Sequence, residues 1–322
     1  MIEQQADSAE RKNSGGEREL LERLAFASLK EQRKTRQWGI FFKLFFAIYL
    51  LVLLLLSLSD RWGPTGLASR YSALIDLEGV IDSSSKASAD NMISALRAAF
   101  ESKATAGVIL RANSPGGSPV QAGYINDEIT RLREKYPDVP VYAVISDICA
   151  SGCYYVVAAA DKIYANKASI VGSIGVLMDG FGFVDAMQKL GIERRLLIAG
   201  ENKALLDPFS PLNARHRRYF QEMLKEIHTQ FIDQVKEGRG EVLTNNKELF
   251  SGLVWTGDKA KELGLVDELG SASYVAREVI GAEEIVDFTV KESLFNRFAE
   301  RIGATMAKTL GTELMSRTPS LK

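Results

Sequence analysis

A serine flanked by small residues is the first group in this sequence whose setting suggests chemistry. Ser151 stands between Ala150 and Gly152, in the segment 147–155, which reads Asp-Ile-Cys-Ala-Ser-Gly-Cys-Tyr-Tyr. We expect this segment to follow a buried strand and to begin a helix. The hydroxyl would then be uncrowded, with the Gly152 N–H beside it at the positive end of the helix dipole. On this segment alone, a serine that only caps the helix explains the pattern as well.

A glycine-containing loop offers a second chemical function. The segment 111–118 reads Arg-Ala-Asn-Ser-Pro-Gly-Gly-Ser and follows a predicted strand over residues 107–110. Gly116 and Gly117 permit unusual backbone angles and leave their N–H groups uncovered by side chains. Such N–H groups can stabilise the oxyanion of a tetrahedral centre. A plain strand-to-helix turn is the competing interpretation, and the absence of a Gly-Lys-Ser/Thr ending argues against a phosphate-binding loop.

A serine needs a base to become a nucleophile, and here the natural candidate is a lysine. No histidine lies between Ser151 and Arg215, whereas Lys203 lies in the segment 198–204, after a predicted strand at 193–197. Desolvation can lower the pKa of a buried lysine, so that its neutral amine accepts the serine proton. A loop lysine is most often a solvated charge, so Lys203 is a candidate because of the other two segments.

The composition gives little support to other chemistries. The formal net charge of −1 provides no basic excess for binding nucleic acid. The two cysteines, Cys149 and Cys153, are four residues apart on a predicted helix, which is poor geometry for a disulfide, so we expect two buried thiols. Only His216 and His228 are available to join them, so we expect no metal site.

Short apolar runs alternate with amphipathic stretches from Tyr71 onward, which predicts βαβ units and a largely parallel sheet in an α/β domain. Each of the three segments above follows a predicted strand, where α/β sheets usually build their sites. The predicted strands are 71–77, 107–110, 141–145, 162–165 and 193–197, and the predicted helices are 89–100, 120–136 and 211–236.

Residues 40–58 form an apolar stretch long enough to cross a bilayer, since about 20 helical residues span the hydrocarbon core. Trp38 and Trp62 bracket it as interfacial aromatic residues do. Positive charge is concentrated before the stretch, which places the N-terminus in the cytoplasm and the rest outside. A cleaved signal peptide is the alternative, but a long charged leader precedes the stretch and no Ala-x-Ala site follows it.

These patterns divide the chain into five parts. We predict a cytoplasmic tail (residues 1–37), a transmembrane signal anchor (38–59), a linker (60–70), a catalytic domain (71–286) and an amphipathic C-terminal tail (287–322).

Taken together, the segments resemble the signal peptide peptidase A family of Ser–Lys peptidases (family S49). The resemblance covers about residues 71–285, and Cys153 departs from it because a glycine is common there in the family. It rests on five stretches in order: Asn-Ser-Pro-Gly-Gly at 113–117, Ala-Ser-Gly-Cys-Tyr-Tyr at 150–155, Val-Gly-Ser-Ile-Gly-Val at 171–176, Ala-Gly-x-x-Lys at 199–203 and Trp-Thr-Gly-Asp-Lys-Ala-Lys-Glu-Leu-Gly-Leu-Val-Asp-Glu-Leu-Gly at 255–270.

The resemblance implies a role for each matching residue. Ser151 would be the nucleophile, Lys203 the general base, and Ser173 the hydroxyl that orients the lysine amine. It further implies a Clp protease/crotonase-like spiral of ββα units and a homo-oligomer, and we expect no cofactor. With the charge bias around residues 40–58, we expect a single-pass protein of the inner (cytoplasmic) membrane with a cytoplasmic N-terminus and a periplasmic or extracytoplasmic catalytic domain. The implied substrates are remnant signal peptides and misfolded polypeptides, and the implied oxyanion hole is formed by Gly116, Gly117 and Gly152.

Three other interpretations compete with this one. A Clp-type Ser-His-Asp protease would need a histidine soon after the serine, and His216 lies too far along the chain. A crotonase-type acyl-CoA enzyme would leave Ser151 and Lys203 without a role. A catalytically silent scaffold would have no need to keep both residues. Whether Ser151 and Lys203 meet within one chain or across two, and how many protomers assemble, stay open at this stage.

Overall fold

The computed structural model of the chain describes residues 33–34, 36–54 and 70–291. They fall into two compact units that divide between Ala68 and Ser69. The predicted linker up to residue 69, Trp62, and most of both predicted tails lie outside the described residues.

The first unit contains helix α1, Arg36–Leu54, which has 19 residues, a mean hydropathy of 2.0 and no buried side chains in its apolar window. This helix is long and apolar enough to cross a membrane. It covers most of the predicted span, and residues 55–58 of that span lie outside the described part of the chain.

The second unit is built on an eight-stranded sheet. Its path runs β6-β5-β3-β2-β1-β8, and β4 lies between β3 and β7. The described pairings are parallel except for that of β5 with β6. The strands are β1 Tyr71–Glu78, β2 Thr105–Ser114, β3 Val141–Ala150, β4 Lys162–Ala165, β5 Ile170–Gly172, β6 Val254–Thr256, β7 Glu268–Leu269 and β8 Ile285–Asp287.

Helices connect these strands and cover the sheet. The two helices that precede the site, α2 and α3, bury one apolar face each, as amphipathic helices on a sheet do. The helices are α2 Ala89–Glu101, α3 Pro119–Lys135, α4 Gly152–Val157, α5 Val184–Lys189, α6 Ala214–Arg239, α7 Gly257–Glu262 and α8 Ala272–Tyr274, which continues into a π-helix at Val275–Ile280; short 3-10 turns occupy Gly240–Val242 and Lys247–Phe250.

The central strands bury side chains on both faces, which explains their near-continuous apolar sequences. In β2, Val108, Ile109 and Leu110 are all fully buried. The predicted α/β class and the largely parallel sheet are therefore confirmed, and the strands at 71–77, 107–110, 141–145 and 162–165 are present, three of them longer than predicted.

The strand predicted at 193–197 is wrong. These residues are not in a strand, and Leu197 is 96% exposed. A strand requires a neighbour that accepts and donates its backbone hydrogen bonds, and no strand in the described part of the chain pairs with this segment.

Strand β3 changes partner along its length. Its first half, Tyr142 to Ile145, pairs with β4, whereas its last three residues, Ile148 to Ala150, pair with β5. On its other side, the register with β2 shifts between Ala112 and Ser114. The sheet therefore divides along β3, and Ser151 directly follows the part of β3 that pairs with β5.

Candidate active site

Ser151 occupies the turn between β3 and α4 in a conformation that non-glycine residues avoid. Its φ of 53° and ψ of −124° lie outside the regions favoured by L-residues, and its side chain is half-buried. The side chain makes no hydrogen bond that caps α4, so helix capping does not explain this serine. A sharp strand-to-helix turn with φ above zero exposes the side chain at its apex.

Two backbone hydrogen bonds hold this turn. The Ser151 N–H donates to the Gly172 carbonyl at 2.9 Å, and the Tyr155 N–H donates to the Ser151 carbonyl at 3.1 Å. A conformation of this kind costs on the order of 1–3 kcal/mol and persists only where the surrounding structure enforces it.

The glycine loop lies directly against the turn. A Cβ added to Gly116 would lie 2.6 Å from the Ala150 carbonyl oxygen and 2.9 Å from the Ser151 Cβ, so only glycine fits there. At Gly117, an added Cβ would lie 2.1 Å from the Ile81 carbonyl oxygen. Both glycines have positive φ, at 99° and 151°. The predicted loop and the predicted nucleophile therefore meet.

The N–H groups of the predicted oxyanion hole are not equivalent. The Gly116 N–H donates to the Ser114 Oγ at 3.1 Å, so it is already engaged. The Gly117 and Gly152 N–H groups have no acceptor among the described residues. A Cβ added to Gly152 would lie 3.2 Å from the Gly117 nitrogen, which shows that these two amides are neighbours. Gly117 and Gly152 are thus the available donors beside Ser151.

Ser173 lies on a second turn that is held at three points. Its own φ is 53°, and its N–H donates to the Leu253 carbonyl at 2.7 Å. The preceding carbonyl, that of Gly172, accepts from Ser151, and the following carbonyl, that of Ile174, lies 3.1 Å from the His228 Nε2. The loop at Ser173 is therefore linked to the turn at Ser151, to the β6 region and to α6.

Ser151 and Ser173 line one open cavity of about 820 Å³. Its walls combine apolar side chains with a few polar ones, as ligand-binding pockets do. The lining side chains include Pro119, Val120, Tyr124, Asp127, Tyr155, Val176, Leu177, Ile227, Gln230, Phe231 and Ser251, with the backbones of Gly117 and Gly152 beside the serines.

Lys203 does not line this cavity. It lies in an exposed turn, where the Lys203 N–H donates to the Gly200 carbonyl at 3.0 Å. Residues 177–212, which include Lys203, leave large apolar side chains open to solvent, among them Leu177, Phe181 and Leu197, which are 81%, 80% and 96% exposed. The structure thus brings together the serines and the glycines but not the lysine, whose role stays a prediction.

One face of α6 lines the cavity, although the sequence pattern of this helix predicts only packing. The repeating apolar residues of this helix predict packing, and Phe231 is indeed 4% exposed with its ring centroid 5.2 Å from that of Tyr155. Ile227 and Gln230, however, line the cavity. Burial, and secondarily the charge of Asp127, raises the pKa of Tyr155. The helical spacing was the available signal, but it cannot distinguish a core from a cleft wall.

The prediction that Cys149 and Cys153 are free thiols is wrong, because the two form a disulfide. Cys149 lies near the end of β3 and Cys153 is the second residue of α4, so the pair does not share a helix. The turn at Ser151 brings their Cα atoms to 5.2 Å, within the range that a disulfide bridges. Both cysteines are fully buried.

No group of three or more histidine, cysteine, aspartate or glutamate side chains in the described ranges is arranged to hold a metal ion.

Comparison with known proteins identifies relatives of this chain. The family model described as "Peptidase family S49" matches residues 133–285. A Synechocystis protein named "Putative protease slr0021" is 32% identical over 199 residues, which are 62% of this chain and 69% of that protein. The Arabidopsis thaliana protein named "Serine protease SPPA, chloroplastic" is 32% identical over 186 residues, 58% of this chain and 27% of that protein.

A Brucella abortus protein named "Na(+)/H(+) antiporter NhaA" is 44% identical over 186 residues, 58% of this chain. The chain spans only 25% of that protein's length. In the described part of the chain, one helix is long and apolar enough to cross a membrane.

Proposed function

Because the chain belongs to peptidase family S49, we propose that it is a serine peptidase in which Ser151 attacks the scissile peptide bond. The observation that carries this proposal is the setting of Ser151. It stands at a turn with φ of 53°, on the wall of a cleft, beside the unengaged N–H groups of Gly117 and Gly152. Acyl transfer requires this combination of a presented nucleophile and paired oxyanion donors.

In the proposed mechanism, the neutral amine of Lys203 accepts the Ser151 proton while the Oγ attacks the carbonyl carbon. The Ser173 hydroxyl orients the amine. The negative charge on the former carbonyl oxygen is stabilised by the Gly117 and Gly152 N–H groups, and one such donor is worth about 10²–10³ in rate. The tetrahedral intermediate collapses to an acyl-enzyme, the protonated lysine donates its proton to the leaving amine, and a water activated by the same lysine then releases the acyl group.

In a single chain, Lys203 is exposed and does not line the cavity that contains Ser151. If Lys203 is the base, it must therefore approach Ser151 from outside this cavity. We propose that the protein is a homo-oligomer whose contacts cover the exposed apolar side chains of residues 177–212. In this oligomer the Lys203 amine is held within reach of Ser151, either of the same chain or of a neighbouring copy. Apolar side chains as exposed as Leu177 and Leu197 commonly mark protein interfaces.

The proposed substrates are apolar polypeptides, with remnant signal peptides as the first candidates and misfolded proteins as further ones. The cleft supports this choice because apolar side chains such as Val120, Val176 and Ile227 line much of it. Helix α1 is long and apolar enough to serve as a single-pass anchor. The positive charge that precedes it supports an orientation in the inner (cytoplasmic) membrane with the N-terminus inside and the catalytic domain in the periplasm. The Cys149–Cys153 disulfide supports the same location, since disulfides persist in oxidising compartments.

The test is labelling of the detergent-solubilised protein with a fluorophosphonate probe, with the adduct located by mass spectrometry. We expect labelling at Ser151, and we expect Lys203→Ala to abolish it. Lys189→Ala is the matched control, because Lys189 is another exposed lysine of the same region. A folded oligomer with no adduct at Ser151 would argue for a silent scaffold, and undiminished labelling of the Lys203→Ala variant would remove the lysine from the mechanism.

Mixing two inactive variants locates the base. Ser151→Ala and Lys203→Ala chains are combined, dissociated and reassembled, and peptide cleavage is measured. Recovered activity means that the dyad forms across two copies, since each mixed pair then contains one intact combination. No recovery, with assembly verified by size, means that the dyad forms within one chain.

A further inference from the structure

The disulfide encloses the candidate nucleophile. Cys149 is two residues before Ser151 and Cys153 is two residues after it, so the covalent ring contains Ala150, Ser151 and Gly152 and nothing else between the bridged positions. We propose that this disulfide positions the nucleophile, so that the oxidised form is the reactive form and reduction by a dithiol lowers the reactivity of Ser151. The inference rests on the proposed function.

The turn has a reason to need such a constraint. Ser151 adopts φ of 53°, which its Cβ disfavours, and α4 has only six residues with which to hold the far side of the turn. On the near side, the Ser151 N–H bonds to Gly172, a residue that belongs to a different strand. A covalent link from the end of β3 to the first turn of α4 limits the backbone angles available to the three enclosed residues and disfavours relaxation to an ordinary conformation.

The same ring sets the position of an oxyanion donor. The carbonyl oxygen of Ala150 and the nitrogen of Gly152 lie 2.6 and 2.7 Å from the place of a Cβ on Gly116. Movement of the enclosed residues would therefore displace the Gly152 N–H from the Gly117 N–H as well as moving the serine hydroxyl. Opening the disulfide is expected to change both parts of the site together.

The redox step is a thiol–disulfide exchange with a dithiol. A thiolate of the dithiol attacks one sulfur, the Cys149–Cys153 bond breaks, and a mixed disulfide forms. The second thiol of the reductant attacks that mixed disulfide, which releases the second cysteine thiolate; the dithiol becomes a disulfide, and its two electrons and two protons reside on the cysteines. Because both cysteines are fully buried, the attack requires the turn to open, so the oxidised form is expected to resist brief exposure to reductant.

The first experiment replaces both sulfurs in the full-length, detergent-solubilised protein. For Cys149→Ala/Cys153→Ala, we expect the rate constant of fluorophosphonate labelling at Ser151 to fall about tenfold, which corresponds to about 1.4 kcal/mol in the barrier. With a peptide substrate, kcat should fall while KM is unchanged, because the cleft walls keep their residues. Val157→Ala is the control: it removes volume from the same helix and the same core without cutting a covalent link.

The second experiment keeps the native sequence and covers the case in which the double variant does not fold. The protein is incubated with dithiothreitol, and reduction is taken as complete when iodoacetamide alkylates both cysteines in a parallel sample. The reduced protein is labelled with the probe, and a second portion is reoxidised before it is labelled. We expect labelling to fall on reduction and to return on reoxidation, with the oligomer intact throughout.

The possible failures are distinguishable. If the untreated protein gives no adduct at Ser151, the proposed function fails. If the untreated protein is labelled, and either the folded double variant or the reduced protein is labelled as fast, the inference is overturned and the proposed function stands. A loss in the double variant matched by an equal loss in Val157→Ala would also overturn it, because the disulfide would then contribute only stability.

Discussion

The N–H of Ser151 donates a hydrogen bond to the carbonyl of Gly172, the residue immediately before Ser173, at 2.9 Å. The two serines that the proposed mechanism uses are therefore linked through one backbone hydrogen bond, which continues the pairing of β3 with β5. We therefore expect a displacement of either turn to be transmitted to the other, so that substitutions far from both hydroxyls change the site.

The close approach of Gly116 to the turn predicts that Gly116→Ala abolishes labelling of Ser151. The added Cβ would lie 2.6 Å from the Ala150 carbonyl oxygen, and φ is +99°, so we expect a loss of stability of roughly 2–4 kcal/mol as well. Thermal unfolding and probe labelling measure the two effects. Gly123→Ala is the control for stability, because that position in α3 has open space, and alanine in a helix should raise stability by roughly 0.5–1 kcal/mol.

The contact between α6 and the Ser173 loop predicts an effect of His228. The His228 Nε2 lies 3.1 Å from the Ile174 carbonyl, so His228→Ala removes a hydrogen bond worth on the order of 1 kcal/mol and should slow labelling about two- to tenfold. His228→Gln should restore most of the rate, since its amide N–H₂ can donate from a similar position. The control is His216→Ala, on the same helix, for which no change is expected. Equal rates in His228→Ala and the unmodified protein would contradict the prediction.

The apolar wall of the cleft predicts that Val120→Asp impairs binding of apolar peptides. Val120 is 57% exposed and lines the cavity, so the fold should tolerate the change to within about 0.5 kcal/mol. We expect KM to rise about tenfold for peptides with apolar side chains, because an apolar contact is replaced by a solvated charge. Val242→Asp is the matched control, at a valine of similar exposure that does not line the cavity.

Glu128 predicts how stability depends on acid. Its side chain, 7% exposed, accepts hydrogen bonds from Arg131 at 2.6 Å and Arg97 at 2.7 Å and so joins α3 to α2. Chiefly the hydrogen bond from Arg131, with that from Arg97, lowers the Glu128 pKa from 4.5 to about 2, against the effect of desolvation. A lowered folded-state pKa gives stability that is present above the unfolded value and is lost as pH falls through the folded value.

We therefore expect Glu128→Gln to lose roughly 2–3 kcal/mol of unfolding free energy at neutral pH. The difference from the unmodified protein should shrink as pH falls from 4.5 towards about 2. Denaturant melts over this range measure it. Glu262→Gln, in an exposed pair with Lys259, should change little. A difference that does not depend on pH would show that packing, rather than charge, gives Glu128 its effect.

The parts of the site that follow strands could be predicted from the sequence. Ser151 and Gly116 both come after apolar runs, and parallel strands bring their carboxyl ends to one edge of a sheet. That reasoning holds because burial on both faces leaves a near-continuous apolar run that can be recognised without coordinates.

The remaining parts depend on where elements begin and what they pair with. Predicting the disulfide requires the position at which α4 begins, Gly152. Cys149 on a strand can bond to Cys153 at the start of the helix, whereas two cysteines one turn apart within a helix have poor geometry for a disulfide. The segment at 193–197 has the composition of a strand but no partner in the described chain. Lys203 follows that segment, so its place relative to Ser151 was the least predictable feature of the site.

The pairing of β8 with β1 brings the two ends of the sheet domain together. Ser72 and Ile285 are register partners in these parallel strands, and the rings of Tyr71 and Phe288 lie 6.0 Å apart. A domain whose ends are neighbours can be inserted into another polypeptide, or permuted in its connectivity, with little disturbance of its core. The fold is thus compatible with insertion into longer polypeptides, and the chain spans only 25% and 27% of two of its relatives.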